Sequence, residues 1–166
     1  MSKINEKIIQ RLFSHNLKTA QAKLAELKFC SVLNPNFQGL NGWVFEQTIQ
    51  DCIRKELRVL KIKTDIGEQE SLGGRARADL LLGKKLAIEI KAGGLFDGNA
   101  ASRYRKYRTW AAKKGYTYIY ITLHESYQPY RNSMSKALGH ENAFFLDTTG
   151  EWRRLTNRIV RLLANK

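Results

Sequence analysis

Two acids and a lysine stand in an unusually apolar stretch in the middle of the chain. Asp79 is followed by three leucines, and Glu89-Ile90-Lys91 closes a second apolar run ten residues later. Charged side chains are rarely placed in strands this apolar unless something pairs them. Because a strand points residues i and i+2 to the same side, Glu89 and Lys91 project together, away from Ile88 and Ile90.

Two carboxylates and an ammonium gathered at one place suit the hydrolysis of a phosphodiester bond. Carboxylate oxygens bind a divalent cation such as Mg²⁺, and a bound cation lowers the pKa of a water molecule. A structural interpretation competes with this one. In it, Asp79 pairs with Arg75 or Arg77 at a strand edge, and Glu89 pairs with Lys91 on a solvated strand.

The chain between the two acids favours a shared site. The strands predicted at 77–82 and 85–92 are joined tightly through Gly83 and Lys84, which indicates a hairpin. Pairing in such a hairpin sets the strand of Glu89 alongside the strand of Asp79. One face of the second strand then belongs to the core, and the other is predicted to line a cleft.

Glu46 is a third acid in an apolar setting. On a helix of 3.6 residues per turn it lies at nearly the same angle as Ile53 and Leu57, so it interrupts the buried stripe. An acid near the start of a helix also complements the helix dipole, but a solvent-facing position would do that at less cost. We therefore expect Glu46 to complete a second metal site or to hold a water molecule.

The periodicity of apolar residues and the turn signals predict an α/β order of elements, with one mixed sheet and helices on its faces. The predicted helices are 3–33, 43–57 with Asn41 as a cap, 100–114, 129–138 and a basic helix from 151. The predicted strands are 58–66, 77–82, 85–92, 116–123 and 143–147, with connectors at 34–42 and 67–75.

The order of these residues resembles the PD-(D/E)XK nuclease superfamily. That group includes type II restriction endonucleases, archaeal Holliday-junction resolvases and related repair nucleases. The resemblance rests on Asp79 followed by Glu89-Ile90-Lys91, with a glutamate on the preceding helix and a helix and a strand afterwards. It covers about residues 40–125, and Ala78 replaces the proline often found before the aspartate.

The resemblance implies a fold and a set of roles. The core would be a restriction-endonuclease-like αβββαβ mixed sheet flanked by helices. Asp79 and Glu89, with the carbonyl of Ile90, would bind Mg²⁺, for which Mn²⁺ could substitute. Lys91 would be the catalytic lysine, and Glu46 matches the acid that many members carry on the first core helix.

The charge of the chain points to a polyanionic partner. The 166 residues include 29 Lys and Arg against 15 Asp and Glu, a net charge of +14, for which nucleic acid is the leading explanation and an anionic membrane surface the weaker one. Arg75 and Arg77 precede the strand of Asp79. The segment between Gly98 and His124 contains no acid and six bases, which are candidates for phosphate contacts: Arg103, Arg105, Lys106, Arg108, Lys113 and Lys114.

These features predict an N-terminal basic helical appendage at 1–35 and a nuclease core with its C-terminal basic helix at 36–166. The expected activity is Mg²⁺-dependent endonucleolytic cleavage of double-stranded or branched DNA by a homodimer, as in a restriction enzyme or a resolvase. The alternatives are a non-catalytic nucleic-acid-binding module, a subunit that docks on ribonucleoprotein, and an RNA-cleaving nuclease or toxin. The absence of a signal peptide or membrane span in the sequence predicts a soluble, cytoplasmic protein with reduced cysteines.

Overall fold

The computed structural model describes residues 4–28, 37–74, 76–93, 99–123 and 128–164. Its helices are α1 Glu6–Lys28, α2 Phe37–Val59, α3 Ala100–Lys113, α4 Gln128–Leu138 and α5 Glu151–Ala164. Its strands are β1 Ile66–Gly73, β2 Ala76–Leu82, β3 Leu86–Lys91, β4 Thr117–Thr122 and β5 Ala143–Phe145. A short 3-10 turn, His140–Asn142, leads into β5.

The five strands form one mixed sheet in the order β1-β2-β3-β4-β5. Strand β2 is antiparallel to both β1 and β3, whereas β3, β4 and β5 run parallel to one another. Because parallel neighbours need a crossover connection, α3 joins β3 to β4 and α4 joins β4 to β5. The α/β class predicted from the sequence is confirmed at this level.

Alternation along the strands divides the core between the two faces of the sheet. On one face, β3 packs Leu86, Ile88 and Ile90 against apolar residues of α1, α2 and α5. On the other face, small and aromatic residues of the strands meet α3 and α4 through Tyr104 and Met134. The sheet is therefore covered on both sides, which explains why its central strands are so apolar.

The predicted hairpin between the two acids is confirmed. Leu82 pairs with Leu86 across a turn in which Gly83 has a φ of 58°, a left-handed conformation that favours glycine. The strand predicted at 58–66 is wrong, because α2 continues to Val59 and residues 62–65 form a connector. The loop predicted at 67–75 is also wrong, because most of this segment forms the edge strand β1.

Helix α2 begins at Phe37, so the expectation that Asn41 caps it is wrong. Buried Cys52 lies on its inner side, and burial raises the pKa of the Cys52 thiol to about 11. The predicted boundary between an appendage and a core, at residues 35 and 36, lies outside the described residues, as does Cys30.

Helix α1 is tied to the far end of the chain. Ile9 is fully buried in the same cluster as α2 and α5. The Glu6 carboxylate accepts a hydrogen bond from the backbone amide of Trp152 at 2.6 Å, and so satisfies a donor that the first turn of α5 leaves unpaired. The indole of Trp152 donates to buried Glu56 at 3.1 Å.

No helix in the described part of the chain is long and apolar enough to cross a membrane.

Candidate active site

Asp79 lies where β2 and β3 separate. Their recorded pairing runs from Leu82 and Leu86 to Leu80 and Ile88 and goes no further. Beyond that point the Asp79 carboxylate accepts the backbone amide of Ile90 at 2.7 Å. A side chain thus takes the place of the next ladder bond, and the gap between the strands is occupied by charged groups.

Lys91 joins the two acids of the hairpin. Its ammonium nitrogen lies 2.6 Å from Oε1 of Glu89 and 3.6 Å from Oδ2 of Asp79. The side chains of Asp79 and Glu89 are 9% and 7% exposed, whereas the Lys91 side chain is 37% exposed. The cluster therefore has two buried carboxylates with a lysine at its mouth, and the grouping predicted from the sequence is found in the structure.

The ionisation of this cluster reflects both its burial and its charges. Burial raises the pKa of Glu89 to about 7, with the Lys91 ammonium acting against the shift and the Asp79 carboxylate reinforcing it. Burial disfavours the charged form of Lys91, but the carboxylates of Glu89 and Asp79 outweigh it and raise the Lys91 pKa. The phenol of Tyr118 donates to Oε2 of Glu89 at 3.3 Å, and burial raises the Tyr118 pKa well above its usual value.

Glu46 extends the cluster from α2. Its Oε1 accepts hydrogen bonds from the side-chain amides of Gln69 at 2.8 Å and Gln50 at 3.2 Å. Gln69 also donates to Oδ1 of Asp79 at 3.3 Å, so one amide joins the two acids. Burial, together with the nearby Asp79 carboxylate, raises the pKa of Glu46. Helical phase predicts that Glu46 interrupts the buried stripe of α2, and in the structure the residue is half-buried.

Two features of the glutamines are unusual. Gln69 has a φ of 52°, a left-handed conformation that is strained for a residue other than glycine, and strain of this kind is typical of functional sites. Gln50 is fully buried and donates to the backbone carbonyl of Asp79 at 3.0 Å. Among the described residues its Oε1 has no hydrogen-bond partner, although unpaired buried acceptors are rare in folded proteins.

Gln50, Gln69 and Tyr118 were not identified from the sequence. Gln50 follows Glu46 by one helical turn, a spacing that could have indicated a shared face. Gln69 lies opposite Asp79, because its neighbours Glu68 and Glu70 pair with Leu80 and Ala78. The sequence does not predict this pairing, because the polar and glycine residues of 67–75 favour a loop rather than a strand.

The donor chemistry of the cluster fits a hard divalent cation. Asp79, Glu89 and Glu46 offer carboxylate oxygens, and the Ile90 carbonyl is adjacent in sequence. In the described part of the chain, however, no group of three His, Cys, Asp or Glu residues converges closely enough to hold a metal ion. Magnesium commonly binds through one or two carboxylates and retains several waters. The two carboxylates of Asp79 and Glu89 are therefore enough to hold a magnesium ion.

Helix α3 flanks the cluster and packs one of its sides against the sheet. Tyr104 and Ala111 are buried, and burial and the Glu89 carboxylate raise the pKa of Tyr104. Exposed bases lie on the outer side of this helix and on β2: Arg77, Arg103, Arg105, Lys106 and Lys113. Arg75 lies outside the described residues.

Two bases predicted to contact phosphates, and one base of α5, hold the protein together. Arg108 donates to the Ala137 carbonyl at 3.1 Å, and Lys114 donates to the Ser71 carbonyl at 2.8 Å. In α5, Arg154 bonds Glu151 and two backbone carbonyls, and stacks over a phenylalanine ring. These contacts assign all three side chains a structural role, whatever else they bind.

Comparison of the chain with protein-family models, with curated proteins and with solved structures gave no match. The relation to PD-(D/E)XK nucleases stays a prediction based on the residues quoted above.

Proposed function

We propose that the protein is a metal-dependent nuclease that hydrolyses phosphodiester bonds in DNA with Asp79, Glu89 and Lys91. The observation that carries the proposal is the clustering of two buried carboxylates with a lysine at the separation of β2 and β3. The arrangement of α2, β1, β2, β3, α3 and β4 also supports a restriction-endonuclease-like core, since it has the order αβββαβ.

The proposed roles follow from the positions of the side chains. Asp79 and Glu89 would hold Mg²⁺ or Mn²⁺. The bound ion would polarise the phosphate and lower the pKa of a water molecule. Lys91 lies at the exposed mouth of the cluster, where it orients the attacking water and offsets charge that develops on the phosphate. Glu46, fixed by two amide donors, holds a second water or a second ion.

The exposed bases on α3 support a nucleic-acid substrate. Arg105, Lys106 and Lys113 are outward-facing, while Tyr104 of the same helix lies beside Glu89. Phosphate contacts from this helix would hold a nucleic acid on the side of the sheet that carries Glu89. A homodimer provides the two sites that cleavage of both strands requires.

The test is an assay of DNA cleavage with Mg²⁺ and with EDTA, on supercoiled, linear and four-way-junction DNA, with RNA in parallel. Asp79→Asn and Lys91→Ala are expected to reduce the cleavage rate by about 100-fold or more. Asp65→Asn and Lys84→Ala are matched controls, because these exposed residues lie at the opposite end of the hairpin strands. Metal-independent binding without cleavage of any substrate would contradict the proposal.

A second candidate is a nucleic-acid-binding protein without catalytic activity. The observation that favours it is that both carboxylates already have protein partners at every oxygen. Oδ1 and Oδ2 of Asp79 contact Gln69, Ile90 and Lys91, and the Glu89 oxygens contact Lys91 and Tyr118. In that case Lys91 itself serves as the counter-ion, and Mg²⁺ would change neither the stability of the protein nor its affinity for nucleic acid.

A further inference from the structure

Trp43 exposes more of its side chain than any other large apolar residue in the described part of the chain. Its exposed fraction is 58%, whereas the next, Val59, is 53% exposed and much smaller. Indole is the largest apolar group that a protein carries, and tryptophan is enriched at binding interfaces. The position of Trp43 in α2 indicates which ligand it could contact.

Helix geometry places Trp43 beside the candidate site. It lies in α2, three residues before Glu46 and seven residues before Gln50. Residues three apart on a helix have Cβ atoms about 5–6 Å apart, and residues seven apart point in directions only about 20° different. Gln50 bonds the Asp79 carbonyl and Glu46 bonds Gln69, so this side of α2 faces the cluster.

Gln50 and Trp43 share this side of α2 but differ completely in exposure. Gln50 is fully buried against β2, whereas Trp43 is two turns nearer the N-terminus of the helix and is open to solvent. The helical phase therefore puts Trp43 on the solvent-exposed N-terminal part of the side of α2 that meets the cluster. A flat apolar surface near a phosphodiester is suited to stack on the base attached to it.

We propose that Trp43 is a stacking platform for an unpaired base next to the phosphodiester at the candidate site. This inference rests on the proposed function and specifies its substrate class. Stacking of a base on an aromatic side chain tolerates any sequence, because every base has a π-face. Bases inside an intact duplex are already stacked on each other, so the ligand is a base in a gap, a branch point or a single strand.

The test is equilibrium binding to a fully paired duplex and to the same duplex with a short single-stranded gap. Binding is measured in EDTA, so that no strand is cleaved, for the wild type, Trp43→Ala and Trp43→Phe. Trp43→Ala is expected to bind the gapped DNA about tenfold more weakly and the paired duplex less than about twofold more weakly. Trp43→Phe retains an aromatic face and most of the affinity.

Leu60→Ala is the matched control, because Leu60 is an exposed apolar residue just past the other end of α2. It should bind both DNAs as the wild type does, and thermal unfolding should show that all variants fold. Equal weakening of both DNAs by Trp43→Ala, or no weakening of either, would overturn the inference, and so would failure of the wild type to bind. Failure of the proposed function is seen separately, as wild-type protein that binds gapped DNA but cleaves nothing with Mg²⁺.

Discussion

The Asp79 carboxylate bonds the backbone amide of Ile90 at 2.7 Å, at the point where the β2–β3 ladder ends. The side chain of Asp79 therefore has a structural function beside its proposed catalytic one. It satisfies a buried donor that the separating strands leave without a backbone partner, while its other oxygen accepts a hydrogen bond from Gln69.

Asp79→Ala and Asp79→Asn should separate these functions. Both variants are expected to lose catalysis, but Asn retains an oxygen that accepts the Ile90 amide. Ala leaves that buried donor unpaired, so its free energy of unfolding should be lower than that of Asn by about 1–3 kcal/mol. Urea denaturation of the two variants in EDTA measures the difference, and equal stabilities would contradict the role assigned to this hydrogen bond.

Lys91→Met should make stability depend on magnesium. Removal of the ammonium leaves Asp79 and Glu89 buried without their counter-ion. Breaking a fully buried ion pair costs about 3–5 kcal/mol, and we expect about 2 kcal/mol here because more than a third of the Lys91 side chain is exposed.

Magnesium bound between the carboxylates should restore part of that loss. The thermal midpoint of Lys91→Met is therefore expected to rise with Mg²⁺ by more than that of the wild type, in which the lysine competes with the ion. Asp79→Asn serves as the control and should show little response. An equal shift for all three proteins would indicate that the ion binds elsewhere.

Tyr118→Phe should weaken the site without opening a cavity. The variant loses only the hydroxyl that bonds Glu89, which is expected to lower the free energy of unfolding by about 1–2 kcal/mol and to slow cleavage. Tyr116→Phe is a matched control two residues earlier, because its hydroxyl forms no hydrogen bond within the described parts of the chain. The prediction fails if the two variants are equally stable and equally active.

Two glycines should respond to alanine in opposite directions. Gly83 has a φ of 58°, and an added Cβ would lie 3.0 Å from the Thr64 hydroxyl, so Gly83→Ala should destabilise the hairpin by about 1–2 kcal/mol. Gly42 lies inside α2, and no atom of the residues that the structure describes comes within 4 Å of an added Cβ. Gly42→Ala should therefore stabilise the protein by up to about 1 kcal/mol, as measured by thermal unfolding.

The sequence was sufficient for the hairpin and for its acids because those residues follow strong local rules. Charges within apolar strands need partners, and a tight glycine turn fixes which residues become neighbours. The α/β class could be predicted from the alternation of helices and strands along the chain. The structure does not test the resemblance to a nuclease family, which stays a prediction.

The edge strand could not be predicted in the same way. Most of β1 is exposed, and its run Gly-Glu-Gln-Glu-Ser has neither apolar alternation nor β-branched residues. Its pairing with β2 is a tertiary effect that overrides local preference. Gln69 therefore became visible only through the register that sets it opposite Asp79.

The hydrogen bond between Trp152 and Glu6 has a consequence for the order in which the molecule is completed. The two residues are 146 positions apart, so the loop that they close spans most of the chain. Helix α1 also packs on its neighbour α2, where the rings of Phe13 and Phe45 meet with their centroids 5.4 Å apart. That contact closes a much shorter loop, so we expect α1 to pack on α2 first and the bond between Glu6 and Trp152 to form late.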